Sequence, residues 1–256
     1  MFKGLEFKMA SWIPFQDQAA CERARAFTRA DFASYQHPNL KVTILKDEEF
    51  AFHMVMTIFG RIKQAADEGR RHVIILPNPE PLYAAVAFLC NKFRVDCRNL
   101  YTFNMDECAD QDGNIAPDTW ENSFLFNVKR NFYAKLDPAL RPPESQIQGP
   151  TNANFKDYGK MIADLGGADV RSDGWCAHHH RSGEVVGAKL RSSGNGFVIG
   201  NSQVSWRRYI IWLAVHGPVT PPVPASIRQT LPSELCVNAS GAADIVPESV
   251  LDFNWW

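Results

Sequence analysis

The sequence predicts an α/β fold: a doubly wound, mainly parallel sheet with helices on both faces. Three observations carry that expectation. Short apolar runs rich in β-branched or aromatic residues read as buried strands, stretches with helical spacing lie between them, and the two alternate along residues 47–167. Such alternation builds βαβ units, whose crossovers place helices over the sheet.

The elements follow in order. Residues 1–40 show no clean period. Residues 47–69 form a helical pattern in which Phe50, Met54, Ile58 and Ile62 share a face, acids lead and Gly69 closes the run. His72-Val73-Ile74-Ile75-Leu76 is a strand of the fully buried kind, ending in Pro77-Asn78-Pro79-Glu80-Pro81. Leu82 to Phe93 reads as a helix, with Pro81 suited to its first turn. A second strand, Leu100 to Asn104, runs directly into Met105-Asp106-Glu107. After a polar loop, Ala109 to Pro117, residues 119–135 read as a helix with Phe124, Val128 and Phe132 on one face. Pro138 to Pro143 make a break. Gln146 to Gln148 reads as a short strand, and Asn152 to Leu165 as a helix stopped by Gly166-Gly167. Residues 171–195 are irregular. Order returns with a strand at Gly196 to Gly200, a helix at Ser205 to Val215 and a last strand near Leu235 to Val237. The whole chain, 1–256, is read as a single α/β domain.

Bulk properties exclude several classes. The 256 residues are 45% hydrophobic and 21% charged, enough to bury a substantial core. Lys plus Arg is 27 against 28 for Asp plus Glu, so no basic field favours nucleic acid. No apolar stretch reaches the length of a membrane span, and the first residues lack a signal-peptide pattern. The six cysteines are scattered without a CxxC pair, as free thiols of a reducing compartment would be. The expected setting is the cytoplasm. Cys176 with His178, His179 and His180 lacks a second cluster at ligand spacing, so no metal site is expected. Phe88, Phe93, Trp206 and Trp212 read as core aromatics.

Ligands of an open parallel sheet bind at the carboxyl ends of its strands. Two polar turns lie there, Pro77 to Glu80 and Asn104 to Glu107. A carboxylate at such a place can move protons, and a helix N-terminus can hold an anion. Asp106 and Glu107 are equally readable as a helix cap or as solvated loop acids.

Several blocks in the same order resemble the glucosamine-6-phosphate isomerase/deaminase family, and most closely a bacterial branch of it. They are Ile75 to Pro81 (ILPNPEP), Thr102 to Glu107 (TFNMDE), Asp110 to Pro117 (DQDGNIAP), Leu140 to Ile147 (LRPPESQI), Val186 to Lys189, and Ser205 to Arg208 followed by HGPVTPPVPAS. The resemblance spans roughly residues 47–170 and 185–247. It implies a Rossmann-like fold of the deaminase, ribose-5-phosphate isomerase and CoA-transferase kind. It also implies aldose–ketose isomerisation of an amino-sugar phosphate, with loss of ammonia in true deaminases and without metal or redox cofactor. By the same resemblance Asp106 is the proton-shuttling base, Glu107 shapes its field and His178 serves ring opening. Asn78 and Glu80 lie in the turn expected to meet substrate phosphate, with Arg208, and Arg207 second, as its basic partners.

Two departures qualify what the resemblance implies. Prolines replace the glycine- and threonine-rich phosphate loop, removing N–H donors, and Glu80 adds a charge of the wrong sign. Cys176 stands where the ring-opening acid belongs, Gly183 where a glutamate belongs, and the chain is short between His178 and Gly187. Two alternatives to the isomerase/deaminase therefore stay open: a catalytically impaired sugar-phosphate-binding or regulatory relative, and a lactonase-type hydrolase. The partner expected in each case is a small sugar phosphate, with a homo-oligomer compatible with the shortened segment.

Overall fold

In the computed structural model the described residues are 18–76, 81–110, 112–173, 196–200, 205–220, 226, 229–230 and 233–244. They fall into two compact units, one built on Ala51–Ser172 and the other on 18–50 with 196–244.

The first unit carries a parallel sheet of four strands: β2 (His72–Leu76), β3 (Leu100–Asn104), β4 (Ile147–Gln148) and β5 (Val170–Asp173). Their order is β5-β2-β3-β4, with Leu76 opposite Asn104, Thr102 opposite Ile147 and Ile74 opposite Val170. The chain leaves β2 towards β3 and β4, then returns to place β5 on the other side of β2. The strand order reverses between β5 and β2, next to β3, and α/β sheets open a crevice at the carboxyl ends there. Both faces are covered. On one, Val73, Ile75 and Phe103 pack against Tyr158 and Ile162 of helix α6 (Tyr158–Asp164). On the other, the Thr102 hydroxyl bonds the buried Tyr133 hydroxyl. Tyr133 begins a 3-10 turn after helix α5 (Phe124–Asn131). The fold is thus the predicted doubly wound α/β class.

Helix α3 (Asp47–Asp67) buries the expected stripe, with Phe50, Met54, Ile58 and Ile62 each almost inaccessible. Each such side chain contributes about 1.5–3 kcal/mol of transfer free energy. Gly69, at φ +63°, supplies the left-handed residue that ends the helix. Helix α4 (Tyr83–Lys92) corrects one expectation. Its core face is Tyr83, Val86, Ala87 and Cys90, which leaves Phe88 and Phe93 more than half exposed. A helix apolar on every side can bury only one stripe, and the i, i+3, i+4, i+7 set took it. The helix expected at 119–135 is shorter, because Ser123 caps it at Phe124 by accepting from Phe126 N.

The second unit holds a parallel sheet ordered β1-β7-β6, formed by β1 (Leu40–Leu45), β6 (Gly196–Gly200) and β7 (Ser233–Asn238). Leu235 and Val237 pack with Phe32 and with Ile211 to Val215 of helix α7 (Ser205–His216). Helices α1 (Gln18–Arg25) and α2 (Arg29–Ala33) fall within residues 1–40, where the sequence shows no clean period, and β1 begins at the end of that stretch. Strand β5 likewise enters the stretch read as irregular, while 174–195 lie outside the described residues. Trp212 is fully buried, as expected of a core aromatic. No described helix is long and apolar enough to cross a membrane.

His216 stacks on Phe27 at 4.3 Å between ring centroids and meets Tyr35 edge-on at 5.1 Å. Burial there lowers its affinity for a proton below the ordinary histidine value, against a weaker upward pull from Asp31. Burial does the same to His72 at the start of β2, opposed by Asp169. The native state thus holds both rings neutral while the unfolded chain takes up protons near pH ~6.5. Stability contributed by the neutral rings is present above that value and falls as the pH drops below it. His216→Phe keeps the stacking and removes one titration. Its thermal midpoint is expected to fall less than the wild type's between about pH 7 and about pH 5. Parallel curves would contradict this account of His216.

Candidate active site

The site grows from the end of β3. The strand is held at its last residue, where Met105 N donates to Leu76 O at 2.8 Å. The Tyr158 hydroxyl, buried under α6, donates to the Asn104 carbonyl at 2.9 Å and reaches the Gln148 carbonyl at 3.2 Å. Burial, and the negative charges of Glu107 and Asp106 near it, push the Tyr158 phenol well above its ordinary value, so it stays a donor. The backbone entering Asp106 is therefore fixed from two sides, by β2 and by α6.

Glu107 is buried and all four of its acceptor positions are used. Oε1 accepts from Cys108 N at 2.9 Å and Phe124 N at 2.8 Å. Oε2 accepts from the Ser123 hydroxyl at 2.8 Å and Leu125 N at 2.9 Å. Phe124 and Leu125 open α5, so the carboxylate satisfies two of the four N–H groups that a helix start leaves unpaired. Burial pushes the Glu107 carboxyl above its ordinary value, while the three backbone donors and Ser123 pull it back. Glu107 thus ties the loop after β3 to the N-terminus of α5.

Asp106, one residue earlier, is half-buried, and its Oδ1 is shielded from solvent. Beyond it the chain closes a small loop on Asp110, whose Oδ1 accepts from Asp112 N at 3.0 Å and Asn114 N at 2.8 Å. Gly113 occupies a left-handed conformation at φ +81° in this loop. Ala116 N donates to Cys108 O at 2.8 Å and Ile115 N to the Asn152 side chain at 2.8 Å. The Asp110 to Pro117 block is therefore a brace that returns the chain to the site.

Of the residues singled out from the sequence, Asp106 and Glu107 stand together at the carboxyl end of β3. Asn78, Glu80 and His178 lie outside the described residues, as does the short segment between His178 and Gly187. Arg207 and Arg208 lie on α7, with their side chains outside the described set. Sequence reasoning missed Ser123 and Tyr158. Ser123 carried a signal, a serine just before an apolar helical run. Tyr158 carried none. Among the described residues no group of His, Cys, Asp and Glu could hold a metal ion. Cys90, Cys97, Cys108 and Cys236 are buried and form no disulfide.

Fold and site together define a doubly wound α/β protein with a carboxylate-bearing turn beside the reversal of strand order. Solved structures of this class superpose on the chain. One is a monomeric glucosamine-6-phosphate deaminase described as a missing link of the NagB superfamily. It has a TM-score of 0.59 and 14% identity, over 79% of this chain and 98% of that one. A 6-phosphogluconolactonase from Trypanosoma cruzi gives 0.55 and 12%, over 82% and 98%. One from Thermotoga maritima gives 0.53 and 11%, over 78% and 99%. The resemblance read from the sequence thus holds at the level of the fold. No protein-family profile matches the chain, and no curated protein matches its sequence.

Proposed function

We propose that this chain is an amino-sugar phosphate aldose–ketose isomerase or deaminase in which Asp106 is the proton-transfer base. The observation that carries the reading is the division of labour between adjacent carboxylates. Glu107 spends its four acceptor positions on Cys108, Ser123, Phe124 and Leu125. Proton transfer from this pair therefore falls to Asp106, on a loop that Glu107 and Tyr158 hold still. As a carboxylate, Asp106 takes the proton α to the carbonyl of the open-chain sugar. The electron pair of the broken C–H bond forms the carbon–carbon double bond of an enediol or enolamine. The resulting carboxylic acid then returns the proton to the former carbonyl carbon. The hydroxyl or amino group on the α-carbon passes a proton to the former carbonyl oxygen, and that carbon becomes a ketone or an imine. Water hydrolyses the imine and ammonia leaves. His178 would serve ring opening, with Asn78, Glu80, Arg208 and Arg207 as the residues expected to meet the substrate and its phosphate. The whole chain acts as one domain in this reading.

A hydrolase is the second reading, favoured by the 6-phosphogluconolactonases among the structures with this fold. A basic side chain at the same strand end would then activate water against a lactone carbonyl. Purified protein given glucosamine 6-phosphate is expected to release a ketose phosphate and ammonia in equal amounts, since the nitrogen on the α-carbon must leave as that carbon becomes a carbonyl. Given 6-phosphogluconolactone, it is expected not to exceed the spontaneous rate. Lactone hydrolysis without isomer formation would replace the first reading by the second. Binding of the amino-sugar phosphate in a calorimeter without either turnover would instead mark an impaired, regulatory relative.

A further inference from the structure

Asn104 is the last residue of β3 and only 2% exposed, yet its side-chain Nδ2 is shielded from solvent with no hydrogen-bond partner. Buried donors are nearly always paired, and an unmade bond inside a protein calls for an explanation. The Asn104 carbonyl accepts from Tyr158, and its strand is paired on one side with β2 and on the other with β4. Alternation along β3 puts Phe103 on the α6 face and Asn104 with Thr102 on the opposite one. The amide is thus held in place at the carboxyl end of a paired strand, one strand away from the reversal of order and two residues before Asp106. Nothing in the packing requires an amide here. Leu76, the residue opposite it on β2, is fully buried and apolar.

We propose that Asn104 is a second catalytic residue, whose carboxamide N–H donates to the sugar oxygen that gains negative charge as Asp106 removes the neighbouring proton. The inference rests on the isomerase reading above. When the C–H electron pair moves into the new carbon–carbon bond, the carbonyl π pair moves onto that oxygen. A preplaced donor in a shielded site lowers the energy of the charged form without having to reorient. That oxygen is neutralised by the proton which the hydroxyl or amino group on the neighbouring carbon gives up as that carbon becomes the ketone or imine. Asp106 returns its own proton to the former carbonyl carbon, and the amide is unchanged. The chemical class of ligand is an open-chain aldose or amino-aldose phosphate with its carbonyl oxygen at Asn104.

Asn104→Leu tests this, since leucine has a similar volume and no donor. Turnover of glucosamine 6-phosphate is expected to fall about 100- to 1000-fold in kcat, with KM little changed. The thermal midpoint is expected to be no lower than that of the wild type, because the variant loses a polar group that makes no bond. Asn104→Ala is read in the same way should the leucine variant not fold. Retained kcat in a folded variant would overturn the proposal, and would leave Asn104 as a structural residue or the host of a buried water. Wild-type protein that turns over no amino-sugar phosphate would overturn the isomerase reading and this inference together, and that failure is read before any variant is made.

Discussion

Asp106→Asn is expected to lose about two to four orders of magnitude in kcat on an amino-sugar phosphate, with a melting curve like that of the wild type. Asparagine has the shape of aspartate, so the loop should not rearrange around it. Bonds on either side also hold the loop: Met105 N to Leu76 O, the Tyr158 hydroxyl to the Asn104 carbonyl, and Cys108 N to Glu107 Oε1. What the amide cannot do is accept a proton at neutral pH. Steady-state kinetics beside a thermal melt separate the two effects. A folded variant with undiminished turnover would remove Asp106 from the mechanism.

Glu107→Gln is expected to act the other way round, mainly on stability. Its side-chain NH₂ must face at least one backbone N–H among those of Cys108, Phe124 and Leu125, because serine alone can turn to accept. A donor set against a donor in a buried site costs about 1–3 kcal/mol. That is a large share of a typical folding free energy of about 5–15 kcal/mol. Glu107→Ala removes every acceptor at once and leaves the start of α5 uncapped on this side, so its loss should be greater. Urea unfolding measures both. Turnover per folded molecule should fall as well, since the loop carrying Asp106 is tied down through this carboxylate. A Glu107→Gln protein of wild-type stability but without activity would show that Glu107 touches the substrate instead.

The fold was legible where burial leaves a clean pattern. Strand β2 reads as a short apolar run because both faces of the sheet are covered, and α3 announces its core stripe at 50, 54, 58 and 62. Strand β1 was not legible. It lies at the edge of its sheet, only Leu40 is fully buried, and Lys41 and Thr43 interrupt the apolar run. The exposure of Phe88 and Phe93 was hidden because composition says that α4 is apolar without saying which stripe faces the core.

At the site, position was legible and role was not. The TFNMDE block placed two carboxylates at a strand end, and they are there. The assignment of Glu107 to α5 depends on Ser123, Phe124 and Leu125, which lie 16 to 18 residues further along the chain. Only the turn of the backbone brings them back. The unpaired amide of Asn104 is a fact of packing, with no trace in the spacing of residues.

Solvent deuterium incorporation tests the central claim most directly. Glucosamine 6-phosphate is incubated with the protein in D₂O, and the proton α to the carbonyl is followed by NMR. If Asp106 shuttles that proton, the wild type removes it from the α-carbon, by transfer to the neighbouring carbon or by exchange for deuterium, and Asp106→Asn does neither. Loss of the α-proton signal at equal rates in the two proteins, or in neither, would contradict the account.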